Sequence, residues 1–216
     1  PDGERLLVTH YVSASDIQVH ELEIATGKMT DLSILPEGGT AACRIAGYMP
    51  DEKSVLIQSD LKDGKPRLFL RDLKKGKVKE PLPDLAAFEL DGALVDDDRQ
   101  MLGVVTNEDG YGVPHMFTLP AFKPLPAPTT QRGVISASSF RNRTMVWSLS
   151  TARTPSLASE TKYPEKGEPV TRQLTWAEDQ GIDLARFPLP EIVTYKAFDG
   201  LDIRAILYVP AGYTKG

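Results

Sequence analysis

The residues in this chain able to do chemistry are few and scattered. A serine nucleophile on a sharp strand-to-helix turn needs Gly-x-Ser-x-Gly, so that its hydroxyl stands clear of the backbone; the pattern is absent. The nearest spacing is Gly212-Tyr213-Thr214-Lys215-Gly216, which centres a threonine shortly after Pro210 and reads as a flexible tail. The histidines are His10, His20 and His115. None has a second ligand at H-x-x-x-H spacing, so each is expected to be structural or at a strand edge. Cys43 is the single cysteine, which excludes an intrachain disulfide or a thiolate zinc cluster. It fits a reducing compartment without requiring one.

Two acidic stretches offer oxygens to a hard cation. Asp96-Asp97-Asp98 sits where the other repeats of the chain carry a polar turn, so a solvated turn is expected there. Asn107-Glu108-Asp109-Gly110-Tyr111-Gly112 shares part of a calcium loop. It lacks an aspartate five residues before Gly110 and an acidic ligand at the required distance after it, and so reads as a hairpin turn. Gly110 and Gly112 do not complete a dinucleotide motif, because position 115 is histidine. Ala25-Thr26-Gly27-Lys28 lacks the upstream glycine of a phosphate-binding loop. No catalytic residue, cofactor or metal is expected within these residues.

The elements that would position such residues repeat. A polar turn running into an apolar strand occurs as "PDGERLLVT", "PDEKSVLIQ", "DDDRQMLGVV" and "FRNRTMVWSL". Aligning Asp2, Asp51, Asp97 and Arg141 gives separations of 49, 46 and 44 residues. A second strand follows in three units, as "IQVHELEI" (17–24), "RLFLRDL" (67–73) and "PHMFTL" (114–119). The first two alternate with period two, the mark of a strand with one buried face. Tight turns at Thr26-Gly27-Lys28 and Lys74 to Lys77 lead to another short strand.

Four antiparallel strands in each 40–50-residue unit describe a β-propeller blade. A β-sandwich also has many short strands, but the long regular period favours the propeller. No helix with caps at both ends is evident; "PLPDLAAFEL" (81–90) has room for one turn between blades. The fourth unit is irregular: "TMVWSLST" (144–151) is a clear strand, "PSLASETKYPEKGEPV" (155–170) reads as a polar surface loop, and "TRQLTW" (171–176) closes the unit. Asp199-Gly200 between two alternating apolar runs then signals one more hairpin.

Composition narrows the partners. With 41% hydrophobic and 25% charged residues the chain is globular, and a net charge of −5 without a large Lys/Arg cluster argues against nucleic acid. No apolar stretch approaches the roughly 18–20 residues that span a bilayer. Beginning at Pro1 inside a repeat, the chain reads as a fragment, and its compartment is left open between cytoplasm and periplasm.

In their order, these motifs resemble the propeller half of the prolyl oligopeptidase family of serine peptidases. "PDGERLLV" and "LEIATGKMTDL" resemble its blade repeats, and "TNEDGYGVPHMFTLP" (106–120) a characteristic penultimate-blade segment. "WSLSTARTPS" (147–156) resembles the last-blade strand and its turn, and "TRQLTW" the closing strand. "EIVTYKAFDGLDIRAILYVPAGY" (191–213) resembles the linker and first hairpin of the catalytic α/β-hydrolase domain.

The resemblance implies an all-β chain: a partial β-propeller of about four blades over residues 1–185, a linker at 186–190, and the first β-hairpin of a truncated α/β-hydrolase domain at 191–216. It implies a parent that hydrolyses peptide bonds by a Ser-His-Asp acyl-enzyme mechanism, with the propeller gating access. Its partners would be a peptide substrate and its own catalytic domain. The triad of the family lies downstream, so this stretch is expected to be inactive by itself. The chain has no Glu-Glu pair of the kind that the dipeptidyl peptidase branch uses to hold a substrate amino terminus. Tyr111 and Arg153 are, by resemblance, the residues expected at the domain interface. The competing reading is a non-enzymatic propeller that binds proteins on its faces; it has no need of residues 191–213.

Overall fold

Runs such as Val55-Leu56-Ile57 and Val104-Val105 are β-branched or apolar on both sides, which suits a strand packed on two faces. The computed structural model describes residues 3–36, 39–178 and 180–214. It places these runs in the middle of successive antiparallel sheets. The first sheet has three strands, β1 (Arg5–Ser13), β2 (Asp16–Glu23) and β3 (Met29–Asp31). The second has four, β4 (Cys43–Tyr48), β5 (Ser54–Ser59), β6 (Arg67–Asp72) and β7 (Val78–Lys79). The third holds β8 (Glu89–Val95), β9 (Met101–Glu108), β10 (Tyr111–Thr118) and β11 (Pro124–Leu125). The fourth holds β12 (Val134–Arg141), β13 (Thr144–Ser150), β14 (Leu157–Lys162) and β15 (Val170–Gln173). A two-stranded hairpin, β16 (Glu191–Lys196) and β17 (Asp202–Leu207), follows. The architecture is an all-β partial propeller, with strands in meander order within each sheet.

The sheets are out of phase with the sequence repeat. In the second, third and fourth sheets the polar turn joins the first and second strands, so the last strand of a sequence unit is the first strand of the next sheet. That first strand carries a β-bulge at matching places, between Ile45 and Gly47, Leu90 and Gly92, and Ala137 and Ser139. Bulges bend and twist the strand that carries them. The expected interblade turn is present as a short 3-10 turn at Pro83–Leu85.

Three apolar layers hold neighbouring sheets together. Val19, Leu32, Val55, Ile57 and Phe69 pack between the first and second sheets. Leu56, Leu68, Leu70, Leu102, Val104 and Phe117 pack between the second and third. Met101, Val105, Met116, Ile135, Met145 and Trp147 fill the third layer. The one-buried-face expectation for residues 67–73 therefore fails. Leu68 and Leu70 enter one layer and Phe69 the other, because β6 lies inside a stack of sheets.

A second correction concerns residues 155–170, expected as a loop. Residues 157–162 form β14, whose buried positions are the small polar Ser159 and Thr161. Thr161 is fully buried; its Oγ1 accepts from Trp147 Nε1 at 2.9 Å and lies 2.9 Å from Thr171 Oγ1. A strand that buries hydroxyls does not announce itself by apolar alternation.

Polar bridges also cross between sheets. Gln58 Nε2 donates to Leu90 O at 2.7 Å, and Gly112 N donates to Gly133 O at 2.8 Å. Glu52 links Arg5 and Arg99 at 2.7 and 2.6 Å. Among the described residues no helix is long and apolar enough to cross a membrane.

Candidate functional site

Five segments meet at one end of the third and fourth sheets around a cavity of about 710 Å³. They are the β9–β10 turn, the stretch leading into β12, the β13–β14 turn, the stretch before β16 and the end of β17. Tyr111 and Arg153 both line it.

Tyr111 opens β10 directly after the Asp109-Gly110 turn, which Asn107 Oδ1 pins by accepting from Gly110 N at 2.9 Å. The Arg132 guanidinium lies over the Tyr111 ring, 5.5 Å from its centroid, within cation–π range. Arg153 sits in a turn built on Thr151. Thr151 Oγ1 accepts from Arg153 N and Thr154 N at 3.1 and 3.0 Å, and Thr151 N donates to Thr154 O at 3.0 Å. Arg153 Nε then donates to Phe187 O at 2.8 Å, tying the fourth sheet to the stretch before β16.

Two glycines permit the convergence. A Cβ on Gly133 would fall 2.2 Å from Ser150 O and 2.8 Å from Leu149 Cδ1. Gly110 has φ +85°, and a Cβ there would lie 2.7 Å from Ile206 Cδ1 of β17. Beside this contact Arg204 Nη1 pairs with Asp109 Oδ1 at 2.5 Å. Sequence reasoning named Tyr111 and Arg153 but missed Arg132 and Gly133, which join them only through the pairing of distant strands. Gly-Val before an alternating strand was the available signal, and it does not reveal a close approach.

The walls are apolar and aromatic: Val134, Leu189, Pro190, Ile206, Tyr111 and Tyr208. Arg132 and Arg153 bring positive charge, no Asp or Glu lines the cavity, and neither arginine has a carboxylate partner among the described residues. Such a surface suits an apolar group that ends in an anion.

The other sequence candidates lie elsewhere. His10 is exposed on β1, and His20 Nδ1 is 3.9 Å from Asp31 Oδ1. His115 lies well inside β10 rather than near its start, since β10 begins at Tyr111. Its Nε2 is 2.9 Å from Thr106 Oγ1 and 3.5 Å from Glu108 Oε1, and Thr106 Oγ1 donates to Glu108 Oε1 at 3.0 Å. Thr106 is fully buried and the carboxylate is on the same ring nitrogen, so this trio is not a nucleophile–base–acid relay. Burial pulls the His115 pKa down, against the opposing pull of Glu108.

Asp96 is buried, not solvated as expected. Its Oδ1 accepts from Gln100 N and Met101 N at 2.7 Å each, closing the β8–β9 turn, and burial raises its pKa. Asp97 Oδ1 accepts from Asn142 N at 2.8 Å across to the fourth sheet. With these bonds the first two aspartates act as turn and inter-sheet acceptors. Cys43 is buried, with its Sγ 3.4 Å from Ser59 Oγ, and burial raises its pKa, which disfavours the reactive thiolate.

No protein-family model matches the sequence, and no curated protein matches it. Solved structures do match. Prolyl oligopeptidase B from Galerina marginata, in a mutant bound to a 25-residue macrocyclization substrate, aligns with TM-score 0.71 and 16% identity. The alignment covers 94% of this chain and 28% of that one. The same protein without ligand gives TM-score 0.72 at 16% identity, over 94% of this chain and 29% of the other. A structure from a study of two prolyl endopeptidases gives 0.69 at 17%, over 94% and 29%. The chain spans less than a third of the length of the proteins it matches. Across nearly its whole length, this chain has the fold of a stretch of a prolyl oligopeptidase.

Proposed function

We propose that this chain is the propeller portion of a serine peptidase of the prolyl oligopeptidase family, and that residues 191–216 open its α/β-hydrolase domain. In this reading residues 1–185 form the gating propeller and 186–190 the linker. The parent hydrolyses peptide bonds in peptides through a Ser-His-Asp acyl-enzyme mechanism, and this stretch alone is inactive. Tyr111 and Arg153 then lie where propeller and catalytic domain meet.

The observation that carries the proposal is the β16–β17 hairpin. It belongs to none of the four propeller sheets, yet it reaches the β9–β10 turn through Arg204 and Ile206. Its outer residues Tyr195, Phe198, Leu201 and Leu207 are exposed and apolar, which suits the first strands of a further sheet. A protein-binding propeller has no use for it.

The residues encoded after Gly216 test this. A strand followed by Gly-x-Ser-x-Gly, with an aspartate and a histidine further on, is the expected result. A stop codon soon after Gly216, or a continuation without that motif, would overturn the peptidase reading in favour of a binding module.

A further inference from the structure

The cavity beside Tyr111 brings two positive charges up to apolar walls. Arg132 and Arg153 line a mainly apolar space with no acidic residue in its wall, and Arg132 also borders the adjoining space that Glu108 and Asp109 line. Arg99 and Arg204 meet the carboxylates of Glu52 and Asp109, whereas Arg71 and Arg143 bond to backbone carbonyls with two nitrogens each. Arg153 uses Nε on Phe187 O, which fixes the side chain and leaves both Nη nitrogens without a partner among the described residues. Arg132 lies over the Tyr111 ring, 5.5 Å from its centroid, and no hydrogen bond or ion pair engages its guanidinium among the described residues. Leu189, Ile206 and Tyr208 supply apolar contact close by, and each is exposed.

We propose that this cavity binds the carboxylate of a peptide substrate, with Arg132 and Arg153 holding the anion and the apolar wall taking the adjoining side chain. The proposal rests on the peptidase reading for its ligand, because a peptide is what the propeller would admit. The occupant is a peptide segment of one chemistry, a carboxylate next to an apolar group. That carboxylate comes from a free C-terminus or from an acidic side chain. Bidentate pairing in a partly desolvated pocket makes the charge decisive, since replacing carboxylate by amide leaves two guanidinium groups unpaired.

The test uses the full-length protein after treatment with a fluorophosphonate, so that bound peptide is not cleaved. Three peptides carrying an N-terminal fluorescein are titrated by anisotropy. One ends in phenylalanine with a free carboxylate, one is its C-terminal amide, and one is the amide with glutamate next to the last residue. The free acid should bind about tenfold tighter than the plain amide. Recovery of that affinity by the glutamate peptide would identify a side-chain carboxylate as sufficient, and its failure would assign the C-terminus. Arg132→Ala is at an exposed position and should reduce the preference to about threefold or less; Arg153→Ala should do the same with an unchanged circular dichroism spectrum.

Equal affinity for acid and amide, no binding of any peptide, or a preference that survives Arg132→Ala would overturn the proposal. Failure of the fluorophosphonate to label the protein would instead overturn the peptidase reading, while the affinity comparison still decides the carboxylate site.

Discussion

Gly133 has no room for a side chain, because its Cα approaches the last residue of β13 and a Cβ would lie 2.2 Å from Ser150 O. The obstacle is backbone, which cannot rotate away. Gly133→Ala should therefore cost about 1–3 kcal/mol and loosen the cavity wall beside Arg132. A urea melt unchanged from the parent would contradict this placement.

His115 gives a pH signature. Burial lowers its pKa in the folded state, so the unfolded chain takes up the proton first. Its contribution to stability is complete above the unfolded value of about 6.5, and it is lost as pH falls below that value. Glu52, held low by its bond from Arg99, and Asp72, held low by the Lys75 amide, lose their contributions only at more acid pH. His115→Asn should accordingly lose less Tm than the parent between about pH 7.5 and 5.5. An equal loss in both would contradict the assignment. Tyr111 and Arg153 were singled out because they lie within local motifs, whereas their meeting at one cavity was not legible. Arg132 was not singled out, because its partner ring is in another sheet and nothing in "TQRGV" marks the encounter.

Among the elements, β5 and β14 show two ways in which local pattern and burial part company. β5 offers three apolar residues in a row, and Leu56 faces one layer while Val55 and Ile57 face the other. The run was legible as a strand, whereas the stacking on both faces was not, because it depends on the neighbouring sheets. Leu56→Ala should cost about 2–5 kcal/mol, measured by denaturant unfolding, as expected for a fully buried leucine. β14 hid behind the buried Ser159 and Thr161, and Trp147 Nε1 and Thr171 Oγ1 satisfy the Thr161 hydroxyl. Thr161→Val keeps the shape but removes the acceptor of Trp147 Nε1, and should cost about 1–3 kcal/mol. A neutral result would place the indole elsewhere. The propeller period was visible in the polar turns, but its phase was not. The turn is the strongest local signal, and in the second, third and fourth sheets it falls inside the sheet rather than between sheets.

At the scale of the whole molecule, both ends of the stack expose apolar surface. Leu6, Tyr11 and Val12 are exposed on β1, Val134 and Val170 on the fourth sheet, and Phe198, Leu201 and Tyr208 on and around the separate final hairpin. Apolar layers join the first sheet to the second, the second to the third and the third to the fourth, and among the described residues none joins the fourth back to the first, so residues 1–216 alone should self-associate with rising concentration in sedimentation velocity. A single monomer that melts cooperatively would contradict an open stack of sheets. The central claim is that these residues gate a serine peptidase whose catalytic domain begins at β16. It is tested most directly by reacting the full-length protein with a fluorophosphonate, mapping the adduct by mass spectrometry and following peptide hydrolysis. The account predicts one modified serine beyond Gly216 and loss of hydrolysis in step with labelling. Hydrolysis that persists in the fully treated protein, or no modified serine at all, would contradict it.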